Sequence, residues 1–401
     1  MISRTLALPP WMTAVVTLVA SLALWSLLPD ESLAQSIPEA GADSPLEAYP
    51  GNASQQPAYD EVTFEGTGES SDALVIHAAL DIPYALPLLE DFHRRHPRYT
   101  ITYRNFSTLD VHQRFLDAPA EADVVISSAM PWQYLLVNEG HAQSIDTAIT
   151  QRWPDTAKWR QELFAFTFEP IVMVVSRRLE QRLGPVDSRA DLLGLLAEAR
   201  SPLQGRLVTY DPTSSGAGYT YAIEESRLSP RYWDLVAALG KADTALVNTT
   251  GAMLEGLRQG RYDIAYNVLG SYARERIADD PELRLVIPDD YALVIRRLAF
   301  VPRQAPHAGA ARRFIDYLLS ADGQRVIAEA GELGALHPQL DGPGTATAMR
   351  RDYPDGLRPI PLSPGLLATL DELKRTALLA RWQREFHDQP VDTRAIEQFS
   401  R

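Results

Sequence analysis

Two stretches of the chain combine glycine with hydroxyl side chains where a strand pattern gives way to a helical one. The first is Tyr210-Asp-Pro-Thr-Ser-Ser-Gly-Ala-Gly-Tyr219, which follows the short apolar run Arg206–Tyr210. The first backbone N–H groups of a helix have no intrahelical partner, and the helix dipole places roughly half a positive charge beside them. Glycine lets a ligand approach the main chain, so Ser214, Ser215 and Gly216 together suit a carboxylate or phosphate. Serine also caps helices with no ligand present, so capping alone is the competing explanation. The second stretch, Tyr266-Asn-Val-Leu-Gly-Ser-Tyr272, repeats the order strand, glycine, hydroxyl, helix. Its candidates are Asn267, Ser271 and Tyr272, with Tyr219 from the first stretch packing or bonding the rest of a ligand.

Two equivalent turns lie earlier in the chain. Asp81 and Tyr84 follow the run Ala73–Leu80, and Ser127 and Ser128 follow Ala122–Ile126. Open α/β sheets bind ligands at the carboxyl ends of their strands, so turns from two lobes would form one cleft. Glu169, at an expected crossing between lobes, is a candidate acceptor for polyol hydroxyls; a surface charge is the alternative.

Enzymatic signatures are weak. G-x-S-x-G, the Walker loop and G-x-G-x-x-G are all missing. His93 and His96 sit among Arg94 and Arg95 at a helix end, where cations are favoured, and do not read as a metal pair. Glu224-Glu225 and Asp289-Asp290 read as surface charge. There is no cysteine, which removes disulfides, thiolate metal sites and a cysteine nucleophile. No catalytic residue, metal site or cofactor is expected.

The elements that must position these turns are those of an α/β protein. Ala73–Leu80, Thr100–Arg104 and Ala122–Ile126 read as strands separated by helices at Pro83–Pro97 and Val111–Leu116. This alternation implies right-handed crossovers and a mostly parallel sheet. The pattern restarts at Pro170–Ser176 and continues through Arg206–Tyr210 and Asp263–Asn267; Leu283–Ile287 and Ala292–Val301 return toward the first lobe. Crossings near 170–176 and 286–300 would form a hinge. A leucine-rich amphipathic helix is expected at Pro364–Phe386, folding back on one lobe.

At the N-terminus, Arg4 precedes the uncharged run Trp11–Leu28, and Ser32-Leu33-Ala34 offers small residues for cleavage. This predicts a secretory signal peptide, with an uncleaved anchor as the alternative. The expected divisions are signal peptide 1–34, flexible leader 35–72, first lobe 73–171 and 288–341, second lobe 172–287 and a helical extension 342–401. The formal net charge of −14 argues against nucleic acid and anionic membrane surfaces as partners, since both require a basic footprint.

Pro83–Pro97 (PYALPLLEDFHRRHP), Asp263–Ala273 (DIAYNVLGSYA) and Ala310–Leu336, with its Ser320-x-x-Gly-Gln324 step, resemble the periplasmic solute-binding proteins of ABC transporters. The likeness spans about Ala73 to Pro338 and is nearest the branch with ferric-iron, phosphoglycerate and hexose-phosphate binders. It implies a type II periplasmic binding fold, α/β with two lobes joined by two crossover strands, in a monomer located in the periplasm. Iron-binding members present adjacent tyrosines where this chain has Asn267-Val-Leu-Gly-Ser-Tyr272. The resemblance therefore favours a small anionic ligand, a phosphorylated or carboxylated metabolite, with iron as the alternative. The partner it implies is an inner-membrane ABC permease or, given the long extension, a sensor histidine kinase.

Overall fold

The computed structural model describes residues 60–67, 72–198, 201–329 and 333–387. The expected signal peptide lies outside these residues, as does most of the expected leader.

The first sheet begins with β1 (Asp60–Phe64), β2 (Asp72–Ala78), β3 (Tyr99–Asn105) and β4 (Val124–Ser127). Between and after them run helices α1 (Ile82–Arg95), α2 (Thr108–Asp117), α3 (Met130–Asn138) and the short α4 (Ala148–Arg152). The small strands β5 (Lys158–Trp159) and β6 (Leu163–Ala165) complete this part. Strand β1 falls inside the segment expected to be a leader. Its alternating Val62 and Phe64 pack on the core, and it pairs antiparallel with β3. Folded structure thus includes Asp60–Phe64, ahead of the expected start at 73.

The chain then enters a second sheet through β7 (Glu169–Ser176), every residue of which is buried. Helices α5 (Arg177–Leu183) and α6 (Arg189–Leu196), strand β8 (Leu207–Tyr210), helices α7 (Gly216–Leu228) and α8 (Tyr232–Lys241) and strand β9 (Ala245–Val247) follow. Next come α9 (Thr250–Arg258), β10 (Ile264–Leu269), α10 (Gly270–Asp279), β11 (Leu283–Val286) and β12 (Ala292–Ile295). The chain returns to the first sheet at β13 (Leu298–Phe300), followed by α11 (Ala308–Leu319), α12 (Ala321–Glu329) and α13 (Ala346–Asp352). Last are β14 (Leu357–Pro359), a 3₁₀ turn at Pro364–Thr369 and α14 (Glu372–His387).

The first sheet has the order β1-β3-β2-β4-β13-β6-β5, and the second runs β14-β12-β7-β10-β8-β9 with β11 also on β7. Among the named strands, parallel pairing is found at β3-β2-β4, β10-β8-β9 and β12-β14. The sheets are mixed, not mostly parallel, because β7, β12 and β13, the strands next to the crossings, pair antiparallel with their main neighbours. The chain changes sheets between β6 and β7 and again between β12 and β13. That places the crossings at 166–168, a few residues before the expected 170–176, and at 296–297, within the expected 286–300.

The expected helix Pro364–Phe386 is divided into a 3₁₀ turn and a shorter helix; that helix packs chiefly on the second lobe, while the C-terminal segment as a whole reaches both. Strand β14 extends the second sheet beside β12, the 3₁₀ turn packs on α3 of the first lobe, and α14 lies along α8 of the second. The Tyr219 hydroxyl donates to the Thr369 carbonyl. The Arg375 guanidinium stacks over Trp132 of the first lobe at 5.7 Å and over Tyr219 of the second at 5.9 Å.

Candidate functional site

Six helices, three from each lobe, begin around one cavity of about 50 Å³ between the lobes. From the first lobe come Asp81 before α1, Ser107 and Thr108 at the start of α2, and Ser128 just ahead of α3. The second lobe supplies Ser215 before α7, Thr249 and Thr250 at the start of α9, and Leu269 and Tyr272 at the start of α10. Each helix start carries orphan N–H groups and partial positive charge. Part of that capacity is spent locally: Ser107, Ser215 and Thr249 each accept a backbone N–H of their own helix.

The floor of the cavity is Arg297, at the second crossing and 1% exposed. Its Nε donates to Glu169 Oε1 at 3.0 Å and its Nη1 to the Ala79 carbonyl at 2.6 Å. A longer contact of 3.4 Å joins Nη2 to Glu169 Oε2. A guanidinium has five N–H donors, so donors are left over for a ligand. Burial works against the charge on Arg297, but Glu169 more than offsets it and the pKa is raised. Glu169, itself 1% exposed, also accepts from Thr167 Oγ1 (2.8 Å) and Ser271 Oγ (2.6 Å). The pair is close to neutral as a unit, so the positive character of the cavity comes mainly from the helix starts.

The lobes touch across the cleft. Gly216 N–H donates to Thr108 Oγ1 at 3.1 Å, and Asp81 N–H donates to the Tyr272 hydroxyl at 3.0 Å. The rings of Tyr84 and Tyr272 stack with centroids 3.8 Å apart. Burial raises the pKa of both phenols, as it does for Tyr210, whose value is pushed to about 12. All three rings stay neutral at physiological pH.

Of the residues singled out in the sequence, Asp81, Ser128, Ser215 and Tyr272 line the cavity. Tyr84 and Gly216 serve the contact between lobes. Ser127 is buried and accepts from the Ala129 N–H, spending its hydroxyl on the start of α3. Ser214 is exposed and outside the lining. Ser271 reaches Glu169 rather than the cavity. Glu169 is neither a free acceptor nor a surface charge, because Arg297, Thr167 and Ser271 take its oxygens.

Tyr219 points away from the cavity, toward Trp132 and Thr369. Asn267 is diverted by a bulge: the β10–β7 register slips between Ala265 and Val268, and Asn267 sits at φ 66°. A bulge redirects a side chain, and Asn267 Nδ2 donates to Glu225 Oε2 at 3.1 Å. Glu225, read as surface charge, is fully buried and also meets Arg189 Nε and the Tyr266 hydroxyl, each at 2.8 Å.

Sequence reasoning missed Arg297, Ser107, Thr108, Thr249 and Thr250. The two threonine sites carried a signal, since Ser107-Thr-Leu-Asp110 and Asn248-Thr-Thr-Gly251 both open helices with hydroxyl caps. Arg297 carried none beyond its position between two apolar runs.

Residues 78–331 match the family model described as bacterial extracellular solute-binding protein. No match is found among curated protein sequences. Among solved structures, the substrate-binding protein of the ABC transporter from Agrobacterium tumefaciens is 32% identical. The match covers 82% of this chain and 100% of that one, at a TM-score of 0.79. The fructose-6-phosphate-bound periplasmic binding protein AfuA from Actinobacillus pleuropneumoniae is 14% identical, covering 79% and 99%, at 0.65. Iron-bound HitA from Pseudomonas aeruginosa is 15% identical, covering 78% and 99%, at 0.61.

Proposed function

We propose, on the premise that this chain belongs to the bacterial extracellular solute-binding proteins of ABC transporters, that its inter-lobe cavity captures a small organic anion. Members of this family bind solutes and do not turn them over, and the two-lobed type II fold is theirs. The observation that carries the ligand class is the convergence of six helix starts, their hydroxyl caps and the buried Arg297 on one cavity. Oriented backbone N–H groups with hydroxyls and one guanidinium suit a carboxylate or a phosphate.

Ferric iron is disfavoured by the donors present. A hard trivalent cation needs several anionic oxygens, whereas Asp81 is the one carboxylate on the lining and both lining phenols are already engaged. Among the described residues no group of three or more His, Asp or Glu is placed to hold a metal. Ligand closes the hinge at 166–168 and 296–297, and the permease reads the closed form. A second reading, presentation of ligand state to a sensor kinase, draws support from the C-terminal segment, whose contacts on both lobes would change with closure. Export rests on the leader, with cleavage after Ala34; N-terminal sequencing of the secreted protein tests it.

A thermal-shift screen tests the ligand class. A ligand at a hundred times its Kd stabilises by about 2.7 kcal/mol, or roughly 3–4 °C in Tm for a chain of this length. Phosphorylated or carboxylated metabolites should produce such a shift. Stabilisation by ferric iron alone would overturn the reading. Loss of uptake in a deletion strain supports transport, whereas loss of only a transcriptional response supports the kinase role.

A further inference from the structure

We propose that the captured anion also carries a hydrogen-bond donor, an ammonium or hydroxyl group, and that Asp81 selects it; this rests on the organic-anion reading above. An aspartate at a helix N-cap ordinarily turns its carboxylate back onto the first N–H groups of its own helix. Asp81 stands at the N-cap of α1 in extended conformation, yet its side chain makes no such bond. Pro83 offers no N–H, the Tyr84 N–H goes to the Asp81 main-chain carbonyl at 3.0 Å, and that carbonyl also takes the ordinary first helical bond from Ala85 at 3.2 Å. Its carboxylate is held elsewhere: Asn105 Nδ2 donates to Oδ1 at 3.0 Å, which fixes the group on the cavity wall. The other oxygen faces the first turn of α9, 3.7 Å from where a Cβ on Gly251 would stand.

The cation on the same cavity does not neutralise this carboxylate. Arg297 is paired with Glu169, behind the lining. The cavity therefore has two poles, an anion-attracting one made by hydroxyls, helix starts and the spare donors of Arg297, and an acceptor at Asp81. A ligand that is only an anion would place like charge beside Asp81, between two lobes where the effective dielectric is below that of bulk water. A ligand with a donor at its other end would satisfy both poles. Polar sites of this kind reject analogues that lack the matching group far more strongly than apolar pockets reject a methylene.

Isothermal titration with matched compounds tests this. The probes are 2-aminoethyl, 2-hydroxyethyl and ethyl phosphate, together with β-alanine, 3-hydroxypropionate and propionate. In the wild-type protein the donor-bearing member of at least one series should bind ten-fold or more tightly than its alkyl analogue. Asp81→Asn, which keeps size and an acceptor oxygen, should cost the amine ten-fold or more and the hydroxyl compound less, while the alkyl analogue stays the same or binds more tightly. A gain for the amine alone identifies an ammonium ligand; a gain for both amine and hydroxyl identifies a hydroxylated one. Equal binding across a series, unchanged by Asp81→Asn, would overturn the selective role and leave the organic-anion reading intact. Absence of binding by every probe and by every anion of the thermal-shift screen would overturn both. Melting curves of Asp81→Asn confirm that the variant is folded.

Discussion

Removing Glu169 should destabilise the protein through the charge it leaves behind. Arg297 is 1% exposed, and Glu169 is its carboxylate partner. In Glu169→Ala the guanidinium keeps its bond to the Ala79 carbonyl but loses both contacts to the carboxylate, while Thr167 and Ser271 lose their acceptor. Breaking a buried ion pair on one side typically costs about 3–5 kcal/mol, because an uncompensated charge remains. At about 1.2–1.5 °C per kcal/mol for a chain of this length, the expected loss in Tm is about 4–7 °C. Urea unfolding gives the same quantity as a lowered midpoint at unchanged slope. Glu169→Gln keeps the shape and one acceptor oxygen, so its cost should fall between wild type and Glu169→Ala. The double variant Glu169→Ala/Arg297→Met should recover part of the loss, since no unpaired charge is left. A Glu169→Ala protein within about 1 kcal/mol of wild type would refute the reasoning; that is the range of an exposed pair.

Three further outcomes follow from the geometry. A Cβ at Gly216 would lie 3.0 Å from the Ala129 Cβ and 3.1 Å from Leu109 Cδ2 across the cleft. Gly216→Val should therefore wedge the lobes apart, enlarging the radius of gyration in X-ray scattering and weakening ligand binding by about ten-fold or more. Tyr219→Phe removes the donor to the buried Thr369 carbonyl, which should cost about 1–2 kcal/mol and speed proteolysis of the C-terminal segment. Burial first, then Arg114, holds His77 to about 3; burial first, then Arg375, holds His112 to about 4. Both values lie below the 6.5 of the unfolded chain, so their stabilisation is complete above pH 6.5 and is lost as pH falls toward 4 and 3. By pH 5 each should have cost roughly 2 kcal/mol, and His112→Gln should flatten the fall in urea midpoint between pH 7 and 5.

The two-lobed α/β plan was legible because strand and helix periods alternate and then restart after residue 170. The helix starts at Ser215 and Tyr272 were legible because glycine and hydroxyls cluster there beyond what a cap needs. Strand β1 was not, since five residues in a polar, proline-rich surrounding carry too weak an alternation to stand out. The misplacement of Asn267 has a local cause, a bulge of one residue that spacing alone does not reveal. That of Tyr219 has a distant one, the arrival of Thr369 from the end of the chain. Arg297 and Glu169 lie far apart in sequence, and only the two crossings bring them together. Glu225 looked like half of an exposed acidic pair because nothing near it in sequence announces Arg189, Tyr266 or Asn267.

The C-terminal segment, gripping α3 on one lobe and β12 and α8 on the other, has a cost as well as a use. Contacts that join the lobes without touching solute favour the closed shape whether or not the cavity is filled. Each 1.4 kcal/mol they contribute raises the closed-to-open ratio of the empty receptor ten-fold. An empty receptor that resembles a loaded one competes for the same docking face on the membrane complex and slows delivery. The grip of Arg375 on Trp132 and Tyr219 thus sets a trade between holding solute firmly and keeping the unloaded molecule silent.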